Sequence, residues 1–319
     1  MTEKLKIHKL TKRGGIDGRF GRILRTIMTN NKISLFRNSF LVASMLITLA
    51  VILAPAHAGE PLWKQLPSPA PMPKATKSGY APVNGIKMYY AIYGHGQPVI
   101  LLHGGLGNAD YWGNQVPTLA KHFQVIVADS RGHGRSTRTA EAFSYDLMAS
   151  DVLALMDYLK IKKADIVGWS DGGIIGLDIA IHHPERLNRL YALGANYNTS
   201  ALRADLEQNA TFNKYIEKAG KDYQRLSKTP GQYDAFLGAI SKMWGTQPDF
   251  SRKQLQSITV PTLIADGQHD EAIKRSHTEE MAELIPDAEL LILPGVSHFA
   301  MWQNPEEFNC TLINFLSGK

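Results

Sequence analysis

Short, continuously apolar runs recur along most of the chain: "PVILLHGG" (98–105), "FQVIVADS" (123–130), "ADIVGWS" (164–170), "RLYALGA" (189–195), "PTLIADG" (261–267) and "ELLILPG" (289–295). They are rich in strand-forming residues and most do not alternate with polar positions, the pattern of strands covered on both faces. Between several of them apolar positions recur at helical spacing, as in "YDLMASDVLALMDYLK" (145–160) and "GGIIGLDIAIHHPERL" (172–187). This alternation predicts an α/β fold, a mostly parallel sheet flanked by helices. Order is expected from Tyr80, and "MYYAIYG" after Asn84-Gly85 predicts an opening hairpin, because Asn-Gly tolerates the positive φ of a tight turn.

Two stretches break the rhythm. Residues 197–256 are polar, helix-prone and without strong strand signals, and they are too many for an ordinary loop. They are expected to form a helical lid inserted into a core made of 80–196 and 257–319. Residues 59–79, with Pro61, Pro67, Pro69, Pro71 and Pro73, read as an extended tether.

Charge changes the picture at the N-terminus. Of the 35 Lys and Arg and the 29 acids, residues 1–58 hold 10 and 2; the remaining 25 and 27 leave the rest of the chain at a net −2. The globular part therefore has no electrostatic footprint for nucleic acid. The basic leader precedes the apolar run "FLVASMLITLAVILA" (40–54), which is short of the roughly 20 residues of a spanning helix. Ala56-His57-Ala58 follows as a small-x-small cleavage site, so residues 1–58 read as an export signal, with Met28 as an alternative start. A secreted or periplasmic protein with no stable membrane insertion is expected; an uncleaved signal-anchor is the alternative. Cys310 stands alone, which forbids an intrachain disulfide, and it is expected to be a small buried hydrophobe. His182 and His183 are adjacent on an expected helix and point to different faces, so they do not form a chelating pair. No metal site and no cofactor are implied.

"GWSDG" (168–172) places a serine between glycines, directly after an expected strand and before an expected helix. G-x-S-x-G in that context is a strained turn that lifts a nucleophile above the sheet. Serine needs a base and an orienting acid. His298 lies just past the last expected strand and Asp270 just past the one before it, so both reach the rim where Ser170 stands. Asp266 and His269 are rivals in the same loop: Asp266 ends its strand, and His269 precedes the acid in a tight turn. "LLHGGLG" (101–107) offers inward-turning amides; Gly105 and Asp171 N–H groups are assigned to a developing oxyanion. The same loop lacks the Lys-Ser/Thr ending of a phosphate cradle.

With "DSRGHGRS" (129–136), "GQHD" (267–270) and "GVSH" (295–298) added in this order, residues 80–319 resemble the α/β-hydrolase fold family. "GWSDGG" is most similar to its valacyclovir-hydrolase-like and carboxylesterase branches. The resemblance implies a serine hydrolase acting on a small or medium carboxylic ester, without cofactor, with His133 structural. Serine at 170 argues against the branches that place Asp there. Thioester, lactone and vinylogous C–C bonds stay open, as does a non-catalytic binding protein. Trp112, Trp169, Tyr233, Phe236, Met243, Trp244 and Phe299 are the candidates for a substrate pocket, and Asp171 either serves the helix end or attracts a cationic substrate group.

Overall fold

A computed structural model of the protein describes residues 59–318; the expected leader, 1–58, lies outside the described residues. Strands β1 (Lys77–Val83) and β2 (Ile86–Tyr93) form a hairpin that pairs Val83 with Ile86 around Asn84 and Gly85, at φ 42° and 76°. The other strands are β3 (Pro98–Leu102), β4 (Gln124–Ala128), β5 (Ala164–Trp169), β6 (Leu187–Leu193), β7 (Thr262–Gly267) and β8 (Glu289–Leu293). The eight-stranded sheet has the order β1-β2-β4-β3-β5-β6-β7-β8, antiparallel through β1, β2 and β4 and parallel from β4 onward. Every residue of β5 and β7 is buried, which is why neither strand alternates in sequence.

Helices α1 (Val116–Leu119), α2 (Tyr145–Tyr158), α3 (Asp171–His182), α4 (Ala210–Leu226), α5 (Tyr233–Trp244), α6 (Arg252–Gln256) and α7 (Arg275–Leu284) lie between strands, and α8 (Ala300–Gln303) and α9 (Pro305–Leu316) follow β8. Ser144 caps α2 by accepting the Leu147 N–H at 3.1 Å, satisfying a donor that the helix itself leaves free. Helix α3 stops at His182, earlier than its apolar spacing implies. Pro184 disfavours helical geometry at His183, and the chain continues as a 3₁₀ turn over Pro184–Arg186.

Residues 197–256 carry α4, α5 and α6 and no strand of the sheet. Asn209 caps α4 by accepting two amides, each at 2.9 Å, and the helix buries Thr211, Tyr215, Ile216, Ala219, Gly220 and Tyr223 as one face. Phe236 of α5 packs edge-on against His133 and Phe143, joining this region to the core.

Two expectations need correction. Residues 59–79 are not a free tether from Leu62 onward, because the backbone of the proline-rich stretch finds partners on the core. Lys64 O accepts from Thr211, Gln65 O from Gln303, and Ala70 N–H donates to Asn114. Cys310 is exposed, because α9 turns Phe308, Leu312, Phe315 and Leu316 inward and leaves position 310 on the opposite face. Among the described residues no helix is long and apolar enough to cross a membrane.

Candidate active site

The turn after β5 is built by close contact. Ser170 sits at φ 53°, ψ −118°, a conformation unfavourable for a residue with a Cβ. Its N–H donates to Leu193 O at 2.7 Å, and its carbonyl accepts from Gly173 and Ile174 at 2.8 and 3.0 Å. A side chain at Gly168 would collide with the Gly172 carbonyl, and one at Gly172 with the Leu102 carbonyl. The glycines thus let α3 cross directly over the ends of β3 and β5, and the strain at Ser170 is held by the surrounding packing.

Asp270 and His298 come from the loops after β7 and β8 and are 7% and 3% exposed. His298 Nδ1 lies 2.6 Å from Asp270 Oδ2. Asp270 Oδ1 accepts the Ala272 and Ile273 amides at 2.6 and 2.7 Å, fixing the carboxylate in its loop. The histidine backbone is held on both sides: its N–H donates to Glu271 at 3.1 Å, and its carbonyl accepts the Trp169 indole at 2.8 Å. Gly194, just after the Leu193 carbonyl that anchors Ser170, leaves room for the ring; a Cβ there would sit 2.8 Å from His298 Cε1 and Nδ1. The turn that carries Ser170 and the loops that carry Asp270 and His298 thus all lie at the carboxyl ends of their parallel strands, β5, β7 and β8.

Burial would raise the Asp270 pKa, but the facing His298, helped by hydrogen bonds from Asp266 and the Ile273 amide, holds it below the usual carboxylate value. Asp266 goes the other way. Burial, then the Asp270 charge, push it well up, while Thr278 donates to it at 2.7 Å. The two acids of the loop are thus pushed in opposite directions, and the one held low faces the histidine. Burial would lower His298, yet Asp270, with smaller contributions from Glu271 and Asp171, raises it above 6.5. Glu271, pushed up to about 7 by burial and by Asp270, also accepts from Ser297 at 3.4 Å.

The Gly105 loop meets the start of α3. A Cβ on Gly105 would lie 2.6 Å from Asp171 Oδ2 and would strike the Trp244 ring. Tyr215 donates to Gly105 O at 2.6 Å, which orients that peptide. Neither the Gly105 nor the Asp171 amide donates to a protein acceptor among the described residues. His103 pins the loop from below: its Nε2 accepts Ser130 N–H at 3.0 Å, so the ring is neutral, in keeping with a pKa lowered by burial. Asp129 accepts from Ala109 and Arg135 amides at 2.7 Å each, and Arg131 forms a buried bidentate pair with Asp151. His133 is held neutral, down to about 3 through burial and nearby His103.

Asp171 is 5% exposed, in the first turn of α3. Tyr145 donates to its Oδ1 at 3.0 Å, and the Trp244 indole lies 2.9 and 3.0 Å from the two oxygens. Burial lifts it to about 6 against these two donors and His298. Of the aromatic and methionine candidates, half-buried Trp244 is thus placed at both the Gly105 loop and Asp171. Trp169 and Phe299 pack with Tyr215 and Trp302 in an aromatic layer behind His298. Trp112, Phe236 and Met243 are core residues, and Tyr233 bonds within its own region, to Ile216 O at 2.8 Å. Tyr145, Gly194, Tyr215 and Glu271 were not singled out by sequence; a glycine ending an apolar strand is the one signal that pointed to any of them.

A model of the α/β hydrolase fold matches residues 97–231. Human serine hydrolase BPHL is 30% identical over 249 residues, covering 73% of this chain and 84% of that one. The chain belongs to the α/β-hydrolase fold family. This hydrolase is also 29% identical over 265 residues, 74% of its length and 89% of the relative's, to the 2-hydroxy-6-oxo-6-(2'-aminophenyl)hexa-2,4-dienoic acid hydrolase of Metapseudomonas resinovorans. Its fold superposes on the meta-cleavage product hydrolase CumD of Pseudomonas fluorescens IP01 with a TM-score of 0.68 at 26% identity, covering 76% of this chain and 98% of that one.

Proposed function

We propose that the hydrolase is an exported serine esterase for small to medium carboxylic esters. The observation that carries this reading is the buried His298–Asp270 pair, 2.6 Å apart, at the rim where the strained turn holds Ser170. Ser170 Oγ attacks the ester carbonyl as His298 Nε2 takes its proton. Asp270 fixes the tautomer through Nδ1–H and stabilises the imidazolium. The Gly105 and Asp171 amides receive the oxyanion. Collapse passes the proton to the leaving alcohol and leaves an acyl-enzyme. Water, deprotonated by His298, then releases the acid and restores the serine. These steps call on no cofactor or metal.

A second reading, hydrolysis of a vinylogous C–C bond, is favoured by the activity named for the Metapseudomonas relative. A panel of short acyl esters, thioesters, amino-acid esters and dienoic acids decides between them. Turnover of the esters with none of the dienoates supports the first reading, and the reverse replaces it. We also propose cleavage after Ala58, with Asp270-containing protein recovered outside the cytoplasm beginning at Gly59; only full-length, membrane-bound material would overturn that.

A further inference from the structure

The chain segment that follows the proposed cleavage site touches the loop of Asp270 directly and reaches that of His298 through Gln303. Trp63 stacks on His269, with ring centroids 4.7 Å apart and planes 23° from parallel. His269 immediately precedes Asp270, and its backbone N–H donates to Val296 O at 2.9 Å, so the stack also bears on the histidine loop. Two residues on, Gln65 O accepts from Gln303 Nε2 at 2.8 Å. The same nitrogen donates to Ser297 Oγ at 3.0 Å, while Gln303 Oε1 accepts the Ser297 N–H at 2.7 Å. Ser297 immediately precedes His298. Between them, Lys64 O accepts from Thr211 of α4 at 3.1 Å.

We infer that Leu62–Gln65 is a positioning strap for the catalytic pair: it holds the acid loop through Trp63 and the histidine loop through Gln303. The inference rests on the proposed roles of Asp270 and His298. None of the strap residues touches the reacting atoms. Their contribution is to limit motion of two loops whose 2.6 Å contact sets the orientation of the imidazole. Short-range placement of that kind carries large rate factors, since a misplacement of about 1 Å costs about 10² in rate. An exposed His269 with no such stack would leave the acid loop anchored from the inside only.

The test uses full-length protein carrying Trp63→Ala, Trp63→Phe or Gln303→Leu, assayed on p-nitrophenyl butyrate. Trp63→Ala and Gln303→Leu are expected to lower kcat by roughly tenfold with KM within about twofold, because placement and not ground-state binding is lost. Their acid limb of kcat/KM is expected to move to lower pH, since a loosened Asp270 raises the histidine less. Trp63→Phe, which keeps a stacking ring, is expected to restore both readouts. Unchanged kcat and pH limb in Trp63→Ala, or an equal loss in Trp63→Phe, would overturn the strap. A fluorophosphonate label separates the two levels of the argument. Labelling of Ser170 in the wild type with variants that behave like it refutes the strap alone; a wild type that does not label at Ser170 refutes the triad reading and the strap with it.

Discussion

Replacing Gly194 with alanine tests the site through a single methyl group. Gly194 stands at φ 58°, where a residue with a Cβ pays about 1–2 kcal/mol. The new Cβ would lie 2.8 Å from two atoms of the His298 ring, and ordinary contact begins at 3.4 Å, so the ring must retreat by about 0.6 Å. The residue has little freedom to do so as a whole, because Glu271 holds the His298 backbone N–H and Trp169 its backbone carbonyl. The ring must tilt, at the expense of the Asp270 contact or of its approach to Ser170. With about 10² in rate lost per 1 Å of misplacement, kcat should fall roughly 10- to 100-fold. Backbone strain alone should lower the melting temperature by about 2–4 °C per kcal/mol. Gly85→Ala is the control: it has φ 76° and its Cβ would meet nothing closer than Thr139 at 3.5 Å, in a hairpin away from the site. Steady-state kinetics on p-nitrophenyl butyrate and calorimetry read both variants. If Gly194→Ala loses stability like Gly85→Ala yet keeps kcat within about twofold, the reasoning about His298 is wrong.

Asp270→Asn should cost about 10⁴ in kcat by disturbing the tautomer, whereas Asp266→Asn, at a carboxyl that burial and the Asp270 charge push well up, should change kcat far less; reversed effects on kcat would name the other acid. The pH profile of kcat/KM should fall on the acid side as His298 protonates, with the limb above pH 6.5 because Asp270 raises that group; a limb well below 6.5 contradicts the pairing. The raised histidine also contributes to stability, fully below its unfolded pKa and not at all once pH has risen through the folded one, which pH-dependent melting reads. Asp171→Asn, compared on an amino-acid ester and its des-amino analogue, should lose rate selectively on the amine-bearing ester if the buried carboxylate receives a cation, and equally on both if it serves only the helix end.

The sheet was readable from sequence because burial on both faces writes an uninterrupted apolar run into β5 and β7. The turn at Ser170 was readable for a different reason. Its requirement is steric and local, so the glycines at 168 and 172 must appear at fixed spacing. What surrounds the site is not local. Tyr145 reaches Asp171, Tyr215 reaches Gly105, and Gln303 reaches Gln65 across long stretches of chain, and single polar residues leave no period to detect. The stretch around the strap hides its docking for the same reason: its proline-rich composition is that of a linker, while Lys64 and Gln65 bind through main-chain carbonyls that composition does not record and Trp63 finds its partner far along the chain. The aromatic candidates show the limit from the other side. Phe236 and Trp244 both fall in the expected lid as pocket candidates, and only the fold separates the core ring from the indole beside Asp171.

The central claim is that Ser170 is the nucleophile. Mass spectrometry of the protein after treatment with a fluorophosphonate, with Ser170→Ala in parallel, tests it most directly. One adduct per chain on the peptide that carries Ser170 is expected, with none in the variant and turnover reduced by about 10⁶. A label on another residue, or more than about a tenth of wild-type turnover in Ser170→Ala, would contradict the account.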